Sequence, residues 1–195
     1  MTSKKSPSIA LLAFVYMLSF IPAAHAQQQR TTIESLTAVS NAVVVAKTVK
    51  TESFWNDDQT AILTRVTLEV NDYLRGQSPR QTEIIVPGGQ IGNYIHEVSD
   101  MPTFQADEEA IVFVELHSSG INVVAGGIMG KLPITRDQRT GIKSVSGSGL
   151  ILMDAESAID ASNVGDEEAQ IELQVFKKRC QERIKQCFLV LRIGT

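Results

Sequence analysis

The chain predicts a mainly β fold with a C-terminal α-helix, its strands forming a small barrel or a sandwich. Two patterns carry this expectation. Residues 61–70 alternate at period two, with Ile62, Thr64, Val66, Leu68 and Val70 on one face and Leu63, Arg65, Thr67 and Glu69 on the other. That is the signature of a strand with one buried and one wet face. Near the C-terminus, Ala169, Leu173, Phe176, Cys180, Ile184, Cys187 and Leu191 recur three or four residues apart, an amphipathic helical stripe. The helix follows the strands instead of alternating with them, which excludes a repeated β-α-β architecture.

The N-terminus predicts an address. Lys4 and Lys5 stand in a segment without acids, followed by 13 apolar residues at 9–21 broken only by Ser19, and then Ala24-His25-Ala26. This is the layout of a secretory signal peptide, residues 1–26, cleaved after Ala26. The apolar run is shorter than the roughly 20 residues that a membrane-spanning helix needs. The expected exported chain is 27–195, in the periplasm or outside the cell. Its expected parts are a β-barrel domain at 27–153, a polar linker at 154–166 and a C-terminal amphipathic helix at 167–195. Gln27, not a cysteine, would be the first residue after cleavage, so no lipid anchor is expected there. No later run is apolar enough to span a bilayer, and the exported chain should be soluble.

Each element has a local reason. Residues 31–40 suit a short helix capped by Thr31 or Thr32, with Glu34 in its first turn. Residues 42–49 are rich in β-branched side chains and read as a buried strand. Residues 51–60 read as a turn region with Asn56-Asp57-Asp58 at its tip. The alternating strand ends around Tyr73-Leu74-Arg75-Gly76, and 82–86 is the next strand, closed by Pro87-Gly88-Gly89. Residues 90–105 form the longest irregular stretch, and long loops in small domains are often functional. Residues 109–116 are apolar on both faces, as a central strand would be, and the turn at 117–120 makes a hairpin with 121–125. Glycines at 126–130 suggest a bend. Residues 132–135 and 149–153 are short strands joined by a polar segment. Asp166, Glu167 and Glu168 favour the start of the final helix, and Lys177, Lys178, Arg179 and Arg183 lie toward its other end.

Charge narrows the partners. The chain has 18 Lys and Arg against 22 Asp and Glu, a net charge of −4, and removing the two leader lysines makes it −6. A mildly acidic protein is poorly suited to nucleic acid or to anionic lipid. The expected partner is a protein or a small ligand, with no cofactor and no stable membrane anchor.

The candidate chemistry is sparse. His96 lies in the long loop beside Tyr94 and Glu97, a set able to do acid–base work or to bind a ligand. His117 reads as a solvated turn residue. Neither histidine has a partner at metal-ligand spacing, so no metal site is expected. Trp55, in a polar turn beside Phe54, is either a binding anchor or a lid on the barrel end. Ser146 lacks the flanking glycine of a nucleophile elbow, and residues 144–149 read as a Ser/Gly turn. The glycine groups at 88–92 and 126–130 open no helix and lack the amides of a phosphate cradle. Cys180 and Cys187 are core-facing thiols, a disulfide over a broken helix, or an intermolecular pair. On an unbroken helix their Cα atoms stand about 10 Å apart, beyond the reach of a disulfide.

The order of signals also resembles a group of uncharacterised exported bacterial proteins. The segments ILTRVTLEVNDYLRG, IIVPGGQIG, MPTFQADEEAIVFVEL and GGIMGKLPI carry the likeness, with Arg75-Gly76, Gly88-Gly89, Pro102, Phe104, Glu109 and Gly130 at the matching places. Ala106-Asp107-Glu108 depart from that pattern, which has a glycine before the acid. The layout is distantly similar to the netrin-like module of metalloprotease inhibitors, a five-stranded OB-type barrel. The resemblance implies that fold. It does not imply inhibition, because the N-terminal cysteine that carries it has no counterpart here. The expected function is non-catalytic binding or a structural role. The alternatives are a hydrolase or other enzyme using the 90–105 loop, and a sugar-binding OB-type module.

Overall fold

The computed structural model describes residues 31–77, 79–148 and 168–193. The expected signal peptide, the 149–153 strand and the 154–166 linker lie outside them. The elements are α1 (Ile33–Val39), β1 (Ala42–Trp55), β2 (Ile62–Arg75), β3 (Gln81–Pro87), β4 (Gly89–Ile91), β5 (Tyr94–His96), β6 (Glu109–Leu116), β7 (Asn122–Val124), β8 (Lys131–Arg136), β9 (Lys143–Ser148), β10 (Glu168–Glu172) and α2 (Leu173–Ile193). A 3-10 turn, Gly127–Gly130, precedes β8.

One antiparallel sheet runs β10-β9-β8-β6-β1-β2-β3, with β7 paired to β6 as well. Strands β1 and β6 sit at its centre and are buried on both faces. On the outer face Val43, Val45, Ile111 and Phe113 meet Leu36 of α1 and Leu173, Phe176 and Cys180 of α2. On the inner face Val44, Ala46, Val112 and Val114 meet Val66, Leu68 and Val70 of β2 and Ile84 and Val86 of β3. Each fully buried side chain of this kind contributes about 1.5–3 kcal/mol relative to exposure. An exposed ion pair contributes about 0.2–1 kcal/mol, so apolar burial holds this sheet together.

The sheet curls until β7 approaches β3, where the Asn122 amide donates to the Glu83 carbonyl at 3.1 Å. No strand pairing joins β3 to β7 among the described residues. The sheet is therefore curled and open, and the expected barrel is not closed.

Bulges set which side chains reach the helices. Val45 pairs with Asp72 and Ala46 with Val70, leaving Asn71 as an extra residue in β2. One extra residue inverts the faces beyond it. Asp72 and Leu74 therefore turn to the helix side, although Val66, Leu68 and Val70 face inward. Leu74 joins the outer cluster, and Asp72 meets the Lys177 ammonium of α2 at 2.6 Å. A second shift, with Val44 paired to Tyr73 and Val43 to Arg75, leaves Leu74 extra and keeps Arg75 on the helix side, where it donates to the carbonyls of Thr37 and Ser40 at the end of α1. It neutralises carbonyls that the helix leaves without partners. At the other end Thr32 and Ser35 form a reciprocal capping box.

Four local expectations differ from the structure. The 90–105 stretch is not irregular throughout, since Gly89–Ile91 and Tyr94–His96 pair there as a hairpin. Strand β1 continues to Trp55, and the turn is confined to 56–61, where Asn56 Oδ1 accepts the N–H of Thr60 and Ala61. Thr51, Phe54 and Trp55 suit a strand, and the long β2 gives them a partner. Residues 143–148 form β9, not a turn, because the edge of β8 offers them a ladder. Residues 168–172 pair with β9 as β10, so the final helix begins at Leu173 instead of Glu167. In both places sheet pairing outweighs local propensity. No helix of the described residues is long and apolar enough to cross a membrane.

Two outcomes follow from α2 on the sheet. The hydrogen bond from Lys177 holds the Asp72 carboxyl below its ordinary range. Its contribution is present above the unfolded carboxylate range and is lost as the pH falls through the lowered native value. Asp72→Asn should cost about 0.5 kcal/mol at neutral pH for so exposed a pair, and this deficit should shrink in acid. Urea midpoints of both proteins across the acid range measure it. Burial pushes the Cys180 thiol up to about 12. In a Cys187→Ser background, Cys180 should resist a disulfide-exchange reagent in the native protein and react fully in guanidinium chloride.

Candidate functional site

An open cleft of about 710 Å³ lies on the inner face at the far end of the β1–β2 ribbon. Its walls come from Thr51 and Ser53 of β1, Thr64 and Val66 of β2, the end of β3, the β4–β5 hairpin and the 97–104 loop. Alternation explains the β1 and β2 contributions. Ser53 pairs with Thr64, and Thr51 with Val66, so all four share the face that carries Leu68 and Val70 deeper in the sheet. Small hydroxylated residues stand where the apolar stripe reaches the rim.

The hydroxyls act as pins. The Thr64 hydroxyl donates to the Gly88 carbonyl at 2.7 Å, so it accepts from Ser53, 3.1 Å away. Ser53 in turn accepts the Gln90 N–H at 3.3 Å. Both hydroxyl protons are committed in this chain of bonds, which fastens β4 across the ribbon. The glycines permit that approach. Gly89 has φ +139, and a Cβ there would lie 2.4 Å from Thr64 Oγ1 and 2.5 Å from Ser53 Oγ. Gly88 has φ +99, and its Cβ would meet the His96 carbonyl at 2.9 Å. The Gly-Gly pair thus serves close backbone contact instead of phosphate binding.

His96 lines the cleft, half-buried, and its Nδ1 accepts the N–H of Ile62 at 3.2 Å. With Nδ1 accepting, the neutral ring carries its proton on Nε2. Glu97 lines the same cleft, yet His96 has no carboxylate partner among the described residues. Trp55 and Tyr94 are outside the cleft lining, near its Ser53 and Ile95, and meet edge to face with ring centroids 5.8 Å apart. Tyr94 is 68% exposed and its neighbour Ile95 is 65% exposed. The three candidates Trp55, Tyr94 and His96 therefore gather at one end of the sheet, although 39 and 41 residues separate Trp55 from the other two.

The 97–108 loop is fastened by Lys131, whose side chain is 8% exposed. Its ammonium lies 2.7 Å from both Glu108 oxygens, donates to the Thr103 carbonyl and stands 4.6 Å above the Phe104 ring. At the loop's other end, the Asp100 carbonyl accepts the Ile128 N–H at 2.7 Å. A Cβ on Gly127 would stand 2.3 Å from that same oxygen. The glycine-rich 126–130 segment is thus a seat for the cleft loop.

The remaining candidates lie elsewhere. His117 sits in the β6–β7 turn, where its Nδ1 is 2.8 Å from the Ser119 hydroxyl. Ser146 is buried in β9. The Cys180 thiol is free and buried under α2, and the helix runs unbroken through position 187. The Cys187 side chain lies outside the described residues. Among the described residues no group of three or more histidine, cysteine or acidic side chains could hold a metal ion. Lys131, Glu108, Ser53 and Gly89 were not singled out by sequence reasoning as parts of a site. Their roles depend on strands and loops distant in the chain. Thr64 on the apolar face of β2 was the one legible sign.

Compared with protein-family models, with curated proteins and with solved structures, the chain finds no match.

Replacement of the pinning glycine tests the construction of the site. Gly89→Ala should destabilise the protein by about 2 kcal/mol or more, since both backbone strain and side-chain overlap oppose it. Gly92, with φ +57 and open space around it, is the control. Gly92→Ala should cost about 1 kcal/mol, from backbone strain alone. Urea denaturation of both variants measures the difference.

Proposed function

We propose that the protein is an exported, non-catalytic binding domain with a curled OB-type architecture of netrin-like kind, and that its ligand seats in the cleft beneath the β4–β5 hairpin. The carrying observation is a cleft lined by His96 whose hydroxyls are already committed, with the Trp55–Tyr94 ring pair adjoining it on β1 and β5. Aromatic rings beside a concave surface offer large contact area at low entropic cost, and here Tyr94 is exposed and Trp55 half-buried. Catalysis by nucleophilic attack needs a hydroxyl activated by a base. Ser53 and Thr64 are instead donors to other oxygens, and His96 lies against a backbone amide. The leader at 1–26 supports placement outside the cytoplasm.

Thermal-shift measurements against panels of peptides, oligosaccharides and uncharged amphiphiles test the reading. A ligand that binds the folded state raises the melting temperature. The expected result is a stabilising class whose shift disappears in the Trp55→Ala/Tyr94→Ala protein and persists in His117→Ala. Stabilisation indifferent to Trp55 and Tyr94 would place the ligand elsewhere. Hydrolysis of an ester, glycoside or peptide substrate that is abolished by His96→Ala would overturn the non-catalytic assignment.

A further inference from the structure

The β1–β2 ribbon leaves part of one strand edge without a partner, beside the cleft. In β2 the Ile62 carbonyl accepts from Gly88, and in the turn Asn56 donates to Ala61. Even-numbered residues at this end of β2 therefore turn their main chain toward β3, and odd-numbered ones toward β1. The β1 partners of those odd residues are Lys50, Glu52 and Phe54. Thr51, Ser53 and Trp55 thus turn their N–H and C=O groups the other way. Strand β6 pairs with β1 only as far as Lys47. The 107–108 segment extends the pairing by one residue, through Thr48. Beyond it, the outward main-chain groups of Thr51, Ser53 and Trp55 meet no strand among the described residues.

We infer that this edge binds an extended peptide as an added strand, with every second side chain of the peptide directed into the cleft. The inference rests on the cleft being the ligand site. Three outward N–H and C=O pairs at every second residue, over about 13 Å of strand, match the repeat of an extended backbone and no rigid small molecule. An added strand lies in the same sheet, so its alternate side chains share the face of Thr51 and Ser53, which is the cleft face. There they meet Val66, Met101 and Phe104, and the Trp55–Tyr94 pair stands just outside the lining. The cleft has no lysine or arginine in its lining and one carboxylate, that of Glu97. The fitting peptide is therefore apolar at alternate positions and free of Asp and Glu.

The contrast with β3 supports this. On that edge strand Pro87 occupies an outward-facing position, where it withholds a donor, and the Glu83 carbonyl already accepts from Asn122. These are devices that block strand addition. No proline or occupied carbonyl guards residues 51–55 of β1 in the same way.

The test uses fluorescent, end-capped hexapeptides with apolar side chains at alternate positions and no acidic residue, read by anisotropy against the chain from residue 27. Each peptide is also made with N-methyl groups at alternate residues, in one phase or the other. The expected result is binding that falls about tenfold or more, as loss of a backbone hydrogen bond or two implies, in one phase only. Thr51→Pro should cause the same loss, since position 51 turns its N–H outward and away from the β1–β2 ladder, and His117→Ala, in the β6–β7 turn away from the cleft, should not. If Thr51→Pro fails to fold, judged by circular dichroism, the N-methyl series decides alone. Absence of binding by every peptide, or equal binding in both N-methyl phases, overturns strand addition. Dimers that dissociate in Thr51→Pro, with no peptide bound, overturn it too and assign the edge to a second copy. Binding that ignores the N-methyl phase but is lost in Trp55→Ala/Tyr94→Ala would retire the strand and keep the cleft. Peptide binding unaffected by both Trp55 and Tyr94 would retire the cleft itself.

Discussion

The ladder between β1 and β6 is the constraint from which the other parts follow. Val43 to Ala46 face Ala110 to Phe113 in antiparallel register, and both strands are covered on both sides. Apolar burial on two faces needs two sets of partners. The helices supply one, through Leu36, Leu173 and Phe176. The curl of β2 and β3 over the inner face supplies the other, through Val66, Leu68 and Ile84. A flat sheet would leave the inner set in water. The curl is therefore a consequence of two-sided burial, and the cleft is where the curl runs out of apolar side chains.

The extra residue at Asn71 lets one strand serve both layers. The inner half of β2 faces the curl, and beyond the bulge Leu74 and Asp72 face α2 while Arg75 reaches α1. Two insertions in the ladder, at Asn71 and at Leu74, thus convert a half-wet strand into the joint between sheet and helices. The ionic contacts made there are partly exposed, so they orient the helices more than they stabilise them. The apolar side chains beneath provide most of the adhesion.

The cleft is assembled from segments with poor intrinsic order, each fastened by a specific contact. Ser53 and Thr64 fasten β4, the paired glycines admit it, Lys131 gathers 103–108, and Gly127 receives Asp100. A buried ammonium without its carboxylate would be costly, so Lys131 and Glu108 specify one position for the loop. The result is a preformed hollow next to a strand edge, with the aromatic pair beside it. Preformed sites lose less entropy on binding than flexible ones.

Much of the framework was legible in the chain itself. Period-two alternation in β2, the doubly apolar β6 and the apolar stripe through Leu173, Phe176 and Cys180 are short-range patterns, and burial follows them closely. Trp55, Tyr94 and His96 were visible as candidates because their side chains suit contact, although their meeting was not. Tertiary structure decided the rest. It extended β1 to Trp55, made strands of 143–148 and 168–172, left the sheet curled but unclosed, and brought His96 against Ile62. Those outcomes depend on hydrogen bonds between segments far apart in sequence, whose geometry no local period encodes.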